Sequence, residues 1–270
     1  MSDFIGTKLT MNLGERSYDI ILKNGALENL YQFARLDRKV AVVTDSGVPA
    51  EYAQRVADQC RESTIITVPQ GEASKSFKIL ETVLRQMLEF NSGRATWWWP
   101  WAAAWSGIWP DLPLPSTCGA FDFINCPTTT LSMIDSSIGG KTAVDLGDTK
   151  KHRGALSGSP RWCWWILMPW QRCPRRHFVN GLAEAIKAGL IADPELFALF
   201  ECEHPEENIE RIIYRSLRVK KNVVENDEHE QGQRACLNFG HTIGHGIEAG
   251  QGGAAAAHQR PVPWRVRGAW

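Results

Sequence analysis

Two consecutive strand–loop–helix patterns constrain the fold of this chain more than any other feature. The run Lys39–Thr44 is short, apolar and rich in β-branched residues, and helical spacing follows it from Pro49 to Arg61. Ser63–Val68 predicts a second strand, and an apolar helical stripe from Ile79 to Leu88 comes after it. Strands joined through helices pair in parallel with right-handed crossovers. The pattern therefore predicts an α/β domain whose strand carboxyl ends can bind a nucleotide.

The flanking patterns complete the predicted architecture. Residues 8–24 indicate two short strands around Gly14–Ser17, a hairpin-like opening. From about residue 178 the spacing is helical almost throughout. We therefore predict a Rossmann-like, nucleotide-type α/β domain over residues 1–177 and an all-α domain over residues 178–270.

Charge and cysteine content exclude several classes of function. Lys plus Arg equals Asp plus Glu at 30 each, so no global field favours nucleic acid or an anionic membrane. The seven cysteines are odd in number and form no C-x-x-C pair, which argues against a disulfide framework and a cysteine zinc site. No signal pattern or membrane-length apolar run is present. We expect a cytoplasmic protein that binds a small molecule, not nucleic acid or membrane.

A histidine pair has the spacing of metal ligands. His241 and His245 lie four residues apart in the helix-like stretch 238–248, so both project from one face. A second helix-like stretch, 180–187, offers the carboxylate of Glu184, and two nitrogens plus one oxygen with an open position hold a catalytic zinc. A packed or solvated histidine pair has the same spacing. Spacing alone leaves both interpretations open.

Two loops have the composition of ligand-binding segments. Asp45 follows a predicted strand, where a carboxylate can accept hydrogen bonds from ribose hydroxyls, although Asp-Ser-Gly is also an ordinary turn. The glycine-containing stretch 136–140 lets the backbone approach a ligand, and Lys141 after it suits a phosphate or carboxylate. A glycine turn with a solvated lysine is the alternative.

The tryptophans are distributed abnormally. All twelve lie in three clusters, at residues 97–109, 162–170 and 264–270. Because tryptophan has a single codon, TGG, each cluster can be back-translated and regrouped in a neighbouring frame. The first cluster then gives Leu-Val-Val-Ala-Val-Gly-Gly-Gly-Val-Val-Gly-Asp-Leu-Ala, a buried strand entering a glycine-rich phosphate loop, and the second gives another buried strand. We hypothesise frameshifts near residues 97–121, 151–175 and after 250; a genuine Trp-rich surface is the alternative.

Four motifs stand in order along the chain: Gly71–Lys75, Cys126–Ala143, Asn180–Lys187 and Leu237–His245. Together they resemble the 3-dehydroquinate synthases, cyclases of the shikimate pathway that use NAD and a metal. The resemblance implies conversion of 3-deoxy-D-arabino-heptulosonate 7-phosphate to 3-dehydroquinate and phosphate, with catalytic NAD and Zn²⁺ or Co²⁺, and it allows a homodimer. It runs from about residue 9 to 249, and family chains continue well beyond 270, so we expect a truncated helical domain.

The resemblance also implies roles for individual residues. With Asp45, the candidates for the cofactor site are Gly71, Glu72, Lys75, Thr128, Thr129, Lys141 and Lys150. The implied substrate-binding and catalytic residues are Asp135, Lys141, Lys187, Lys220, Arg234, Asn238 and His245. The implied metal ligands are Glu184, His241 and, seventeen residues after it, His258. His245 then faces the substrate and does not bind the metal.

Three alternatives to this function remain. They are a sister sugar-phosphate cyclase, a metal-dependent polyol dehydrogenase and an inactive relic of the family. A dehydrogenase would release NADH stoichiometrically, whereas a cyclase shows no net change in NADH. Because the chain as translated lacks the glycine-rich loop, we predict that it is inactive and poorly folded, and that the frame-restored gene encodes an active synthase.

Overall fold

The computed structural model describes residues 7–71, 74, 76–90, 97–102, 122–139, 144–146, 149–152, 166–167, 173–202, 204–241 and 243. These residues divide into two compact units. Residues 7–128 and 136–167 belong to the unit called here the α/β unit, and residues 129–135 and 173–243 belong to the helical unit. No helix in these ranges is long and apolar enough to cross a bilayer.

The N-terminal hairpin is present as predicted. Strands β1 (Thr7–Met11) and β2 (Tyr18–Asn24) pair antiparallel, with Leu9 opposite Ile20. At the turn between them the Ser17 hydroxyl donates to the Gly14 carbonyl at 2.6 Å and accepts from the Leu13 N–H at 2.9 Å. These bonds satisfy turn groups that have no partner in the ladder. Strand β10 (Ile166–Leu167) pairs in parallel with the other edge of β2.

The predicted parallel sheet forms the centre of the α/β unit. Its strands are β3 (Lys39–Asp45), β4 (Glu62–Val68), β5 (Trp97–Ala102), β6 (Asp122–Phe123) and β7 (Cys126–Pro127). The order is β4-β3-β5-β6, β7 also pairs with β5, and every pairing is parallel. Strand β3 is central and almost wholly buried, which explains its continuous apolar sequence.

Two helices cover this sheet. Helix α1 (Ala50–Ala57) follows β3, and helix α2 (Phe77–Glu89) follows β4. Helix α2 buries Leu80, Val83 and Met87 against Ala41, Val43 and Ile66 of the strands. Residues of α2 at this spacing lie on one face, so these members of the predicted stripe are buried, whereas Leu88 at its end is 63% exposed.

Three α-helices form the part of the helical unit that the structure describes. Helix α3 (Arg175–Ala192) and helix α4 (Pro194–Cys202) meet at Asp193, and helix α5 (Ile209–Asn226) packs against both. The Asp193 carboxylate accepts from the Leu196 N–H at 3.0 Å and from Arg215 Nη2 at 2.6 Å and Nε at 2.9 Å. One side chain therefore caps α4 and ties the α3–α4 corner to α5.

One predicted helix boundary needs correction. The stretch 238–248 does not begin as a helix, because Asn238 ends a 3₁₀-helix (Gln233–Asn238) and Gly240 has φ of +81°, a left-handed conformation that breaks the helical path before His241. Residues 129–135 precede residue 178 but belong to the helical unit. The domain boundary at residues 177 and 178 remains a prediction.

The Trp-rich segment at 97–102 forms a strand in the chain as translated. Val40 of β3 lies opposite Trp97, and the register continues to Val43 and Pro100. The translated chain thus forms a strand at the position where the sequence regrouped in the neighbouring frame also predicts a strand. The rest of that reading, including the glycine-rich loop, falls outside the described residues. The frameshift hypothesis remains a prediction.

Candidate active site

A partly buried ion pair lies at the centre of the candidate site in the helical unit. Asp135 lies near the end of a single turn of π-helix, Ser132–Ser136, and Lys220 lies in α5. Lys220 Nζ donates to Oδ1 of Asp135 at 2.6 Å and to its backbone carbonyl at 2.5 Å. The lysine side chain is 11% exposed and that of Asp135 is 35% exposed. These two hydrogen bonds, one to the carboxylate and one to the backbone carbonyl of Asp135, fix the Lys220 ammonium in place.

The charges around this pair determine its protonation. Burial alone would raise the pKa of Asp135, but the charges of Lys220 and Lys187, the Lys220 hydrogen bond and the nearby His241 hold that pKa well below its ordinary value. Burial lowers the pKa of Lys220, Asp135 opposes this shift, and Lys187 and Arg234 add to it. The carboxyl is thus ionised at neutral pH, and Lys187, His241 and Arg234 lie close enough to affect the pair.

A second ion pair lies on α3. Lys187 contacts Oε2 of Glu184 one turn earlier, and it also donates to the Leu237 carbonyl at 2.7 Å. The lysine side chain is 13% exposed and that of Glu184 is 5% exposed. This i, i+3 pair could have been a surface ion pair, but here both partners are largely withdrawn from water. Because water screens them little, the charges of Lys187 and Glu184 interact strongly with any charged ligand that binds beside them.

Arg234 reaches the same cluster from the loop after α5. The residue is 2% exposed, and its Nη1 donates to the Glu228 carbonyl at 2.5 Å. Its backbone N–H donates to Oδ2 of Asp227 at 2.9 Å. Together with Lys187 and Lys220 it brings three cationic side chains to the cluster, where the carboxylates are those of Asp135, Glu184 and Asp227. Cationic side chains that converge on one place are the electrostatic requirement of an anion site.

His241 and Asn238 differ in their placement. His241 is half-buried, its Nδ1 lies 3.4 Å from the Phe239 carbonyl, and its charge affects Asp135. Asn238 is exposed, and its Nδ2 donates to Oε1 of Glu230 at 2.8 Å. The described part of the chain therefore places His241, but not Asn238, beside the charged cluster.

A close backbone approach brings Asp135 to the helices. A Cβ added at Gly181 of α3 would lie 2.5 Å from the Leu131 N and from the Thr130 carbonyl carbon. Only glycine permits this contact, since real Cβ atoms essentially never come that near to backbone. The glycine of the motif at 180–187 therefore has a packing role that seats residues 129–135 on α3.

The predicted nucleotide-binding residues that are described lie mostly at one edge of the sheet. Asp45 ends β3 and is buried, and its Oδ1 accepts from the Gly47 N–H at 2.7 Å. Gly71 follows β4 and Thr128 follows β7, so all three stand at carboxyl ends of parallel strands. Thr129 belongs to the helical unit, where its Oγ1 accepts from the Ser132 N–H at 3.3 Å and caps the following turn.

Buried polar groups hold the glycine-containing loop of the α/β unit. Asn125 Nδ2 donates to the Ser137 carbonyl at 3.2 Å, and the Tyr18 hydroxyl accepts from the Gly139 N–H at 3.3 Å. All four residues are buried. The loop that leads to Lys141 is thus fixed at two backbone groups, although Lys141 lies outside the described residues.

The structure therefore brings together part of the predicted set. The members that share the charged cluster are Asp135, Glu184, Lys187, Lys220, Arg234 and His241. Glu72, Lys75, Lys141, His245 and His258 fall outside the described residues, and for Lys150 only the backbone, in strand β9 (Thr149–His152), is described. The catalytic, cofactor and metal roles of all these residues remain predictions.

Sequence reasoning missed the backbone groups of the cluster. The carbonyls of Leu237 and Glu228 accept from Lys187 and Arg234, and any residue type would supply such a carbonyl. The role of Asp227 in the loop was also missed. Its only sequence signal was a polar stretch, residues 225–234, that contains one glycine, and such stretches are common in loops.

Comparison with solved structures gives the class of protein to which this arrangement belongs. A 2-deoxy-scyllo-inosose synthase superposes with a TM-score of 0.77 at 20% identity, covering 92% of this chain and 73% of the other. The 2-epi-5-epi-valiolone synthase of Streptomyces hygroscopicus subsp. jinggangensis 5008, solved with NAD⁺ and Zn²⁺, gives 0.74 at 23% identity, covering 88% and 69%. The chain has the fold of the sugar phosphate cyclases.

Sequence comparison gives the family. Residues 65–165 match the model of the 3-dehydroquinate synthase N-terminal domain, and residues 181–266 match that of the C-terminal domain. The 3-dehydroquinate synthase of Pelobacter propionicus is 36% identical over 270 residues, an alignment that covers 94% of this chain and 74% of the relative. The chain belongs to the 3-dehydroquinate synthase family. The predicted fold class, family and enzyme class, a lyase of the shikimate pathway, are thereby confirmed.

Proposed function

We propose that the charged cluster of the helical unit binds the acidic sugar phosphate of the family reaction, 3-deoxy-D-arabino-heptulosonate 7-phosphate, which becomes 3-dehydroquinate with loss of phosphate. The observation that carries the proposal is the convergence of Lys187, Lys220 and Arg234 on one buried site. The substrate carries a carboxylate and a phosphate, and both require cationic partners when they leave water.

The fixed contacts of the cluster suit this task. Lys220 is bound to two oxygens of Asp135 and Lys187 to the Leu237 carbonyl, so neither ammonium has to be reorganised when a substrate anion arrives. Preorganised charges stabilise charge that develops during elimination of phosphate more than mobile charges do. Asp135, ionised beside Lys220, holds that lysine protonated against the effect of burial.

We further propose NAD as the cofactor of the α/β unit. Asp45, Gly71 and Thr128 stand at the carboxyl ends of parallel strands, the usual position of a dinucleotide. The solved cyclase from Streptomyces hygroscopicus holds NAD⁺, and a 2-deoxy-scyllo-inosose synthase structure also contains NAD⁺. Bound NAD supplies the hydride chemistry, and the residues of this chain supply position and charge.

The donor set of the helical unit fits a divalent metal such as Zn²⁺ or Co²⁺. Glu184 is a buried carboxylate whose counter-charge is the Lys187 ammonium, and a metal at Oε2 would take over that neutralising role. His241 offers a nitrogen ligand, and a carboxylate with imidazole ligands is a zinc combination. In the described residues no three His, Cys, Asp or Glu side chains form a metal group. The third ligand that we propose is His258, the residue that the family resemblance implies. A metal there would polarise a substrate hydroxyl.

The proposed reaction is tested with the frame-restored protein, NAD and zinc. We expect phosphate release from the sugar phosphate with no net formation of NADH. Accumulation of NADH in proportion to substrate would refute the cyclase assignment in favour of a dehydrogenase. The same samples give zinc content by mass spectrometry, and we expect Glu184→Gln and His241→Ala to lower it.

A matched pair of lysine variants tests the site itself. Lys220→Met removes the ammonium bound to Asp135, and we expect the rate of phosphate release to fall about a hundredfold, the usual effect of removing one preorganised donor. Lys221→Met removes the neighbouring lysine, which pairs with Glu225 at 2.7 Å and does not contact Asp135. Equal losses in the two variants would contradict the assignment of Lys220.

A further inference from the structure

The loop after α5, residues 227–234, is organised by one carboxylate. Asp227 accepts from the backbone N–H of Gln231 at 2.8 Å, Gly232 at 2.8 Å and Arg234 at 2.9 Å. Three N–H groups that converge on one anion are the geometry with which backbone loops bind phosphate. Here the anion is a side chain of the loop itself. Those bonds lower the pKa of Asp227, that from Arg234 first, so the carboxyl is ionised at neutral pH.

The position of Asp227 is unfavourable for an aspartate that only ends a helix. Asp227 is the C-cap of α5, where its own N–H donates to the carbonyls of Val223 and Val224. A negative charge at a helix C-terminus opposes the helix dipole, and glycine or asparagine is the usual residue for this end. The carboxylate is therefore better explained by the three N–H groups that it binds than by helix termination.

The loop also contains a strained residue. Glu230 has φ of +56°, the left-handed region that non-glycine residues avoid. The N–H groups of the next two residues, Gln231 and Gly232, both point to Asp227. Because a strained backbone persists only where its surroundings hold it, the bonds of the Asp227 carboxylate to these two N–H groups contribute to holding Glu230 in this conformation.

Two side chains of the predicted substrate site depend on this loop. Arg234 ends it, with its N–H on Asp227 and its Nη1 on the Glu228 carbonyl. Asn238 follows four residues later and donates to Oε1 of Glu230. We infer that Asp227 is a positioning residue: its carboxylate sets the loop from which Arg234 is presented to the anion site. This inference rests on the proposed anion-binding function of Arg234.

The test is an equilibrium titration of the full chain with inorganic phosphate, followed by calorimetry. We expect Asp227→Asn to weaken phosphate binding roughly tenfold, since misplaced binding groups lose about that much or more. The matched control is Asp58→Asn, because Asp58 is also a helix C-cap but its Oδ1 accepts from the side chain of Gln54. Equal affinities for the two variants would overturn the inference.

A double-mutant cycle with Arg234→Met separates positioning from a general structural role. If Asp227 acts through Arg234, adding Asp227→Asn to Arg234→Met causes no further loss of phosphate affinity. Additive losses would mean that Asp227 acts elsewhere and would overturn the inference. If the unmodified chain itself binds no phosphate, the proposed anion site fails instead, so the two failures are distinguishable.

Discussion

Replacing Gly181 with alanine should separate assembly of the site from stability of the fold. A Cβ at this position would lie 2.5 Å from the Leu131 N, 2.5 Å from the Thr130 carbonyl carbon and 2.6 Å from Thr130 Cβ. Ordinary contact begins near 3.4 Å, so residues 129–135 must move away from α3 by about 0.9 Å. Two of the three atoms are backbone, and a rotamer change cannot relieve the clash.

The expected loss of stability is modest because two effects oppose each other. Overpacking of this kind costs about 1–3 kcal/mol. Alanine is a better helix former than glycine by about 1 kcal/mol. We therefore expect the free energy of unfolding in urea to fall by about 1 kcal/mol, and by about 2 kcal/mol at most. A change of this size leaves a folded protein folded.

The expected loss of activity is much larger. Asp135 lies four residues beyond Leu131, and its bonds to Lys220 are 2.5 and 2.6 Å long. A shift of about 0.9 Å along these bonds lengthens them to about 3.4 and 3.5 Å, beyond the usual range of about 2.7–3.2 Å. Misplacement of a catalytic group by about 1 Å can cost about a hundredfold in rate. We expect phosphate release by the frame-restored Gly181→Ala protein to fall by that factor.

Gly189→Ala in the same helix is the matched control. Its Cβ would meet the Phe197 N at 2.9 Å, which crowds α4 and leaves residues 129–135 untouched. We expect a comparable loss of stability with activity retained. Full activity in Gly181→Ala, or equal losses of activity in both variants, would refute the argument that the close approach at Gly181 places Asp135.

Three further predictions concern titration, thiol reactivity and metal. Because the native pKa of Asp135 is depressed, its stabilising effect is complete above the ordinary aspartate pKa of about 4 and is lost as pH falls through the native value. The free energy of unfolding in urea should therefore fall less steeply at acid pH in Asp135→Asn than in the unmodified protein. Identical pH dependence in the two proteins would contradict the ion pair. Burial raises the pKa of Cys60 to about 12. Because the thiolate is the reactive form, iodoacetamide at about pH 8 should alkylate Cys60 about a thousandfold more slowly than a free thiol. Rapid labelling of Cys60 without urea would contradict its burial. Chelation followed by zinc titration should show Glu184→Gln weakening zinc binding about tenfold or more, whereas Glu225→Gln, at the partner of Lys221, leaves it unchanged.

Periodicity and turn chemistry were sufficient to predict most of the fold. A strand buried on both faces has a continuous apolar sequence, and the run Lys39–Thr44 lies in such a strand, β3. A helix buried on one face has an apolar stripe, and the stripe from Ile79 to Leu88 lies in the helix that covers the sheet, α2. The break before His241 was not predictable in this way. The motif around it has helical spacing, and the left-handed conformation of Gly240 appears only when the preceding 3₁₀-helix is known.

The candidate site was predictable in its side chains but not in its supports. Motif resemblance identified Asp135, Lys187 and Lys220, whose charges lie together in the structure. It could not show that Lys187 donates to the Leu237 carbonyl, because a backbone acceptor has no sequence signature. Nor could a linear pattern assign residues 129–135 to the helical unit, since that depends on the missing Cβ of Gly181.

The position of the charged cluster narrows the prediction for the chain as translated. Its members come from residues 129–135 and 184–241, and the tryptophan clusters at 97–109 and 162–170 contribute none of them. The frame hypothesis therefore affects the proposed nucleotide site of the α/β unit, which needs the glycine-rich loop, more than the proposed anion site of the helical unit. We expect the chain as translated to bind phosphate through Lys187, Lys220 and Arg234 but to bind NAD weakly and release no phosphate from the substrate. The frame-restored protein should bind both ligands and turn over. Calorimetric titration of each protein with phosphate and with NAD measures these affinities. Equal NAD affinity in the two proteins would refute the frameshift, and so would a verified in-frame TGG run across codons 97–109.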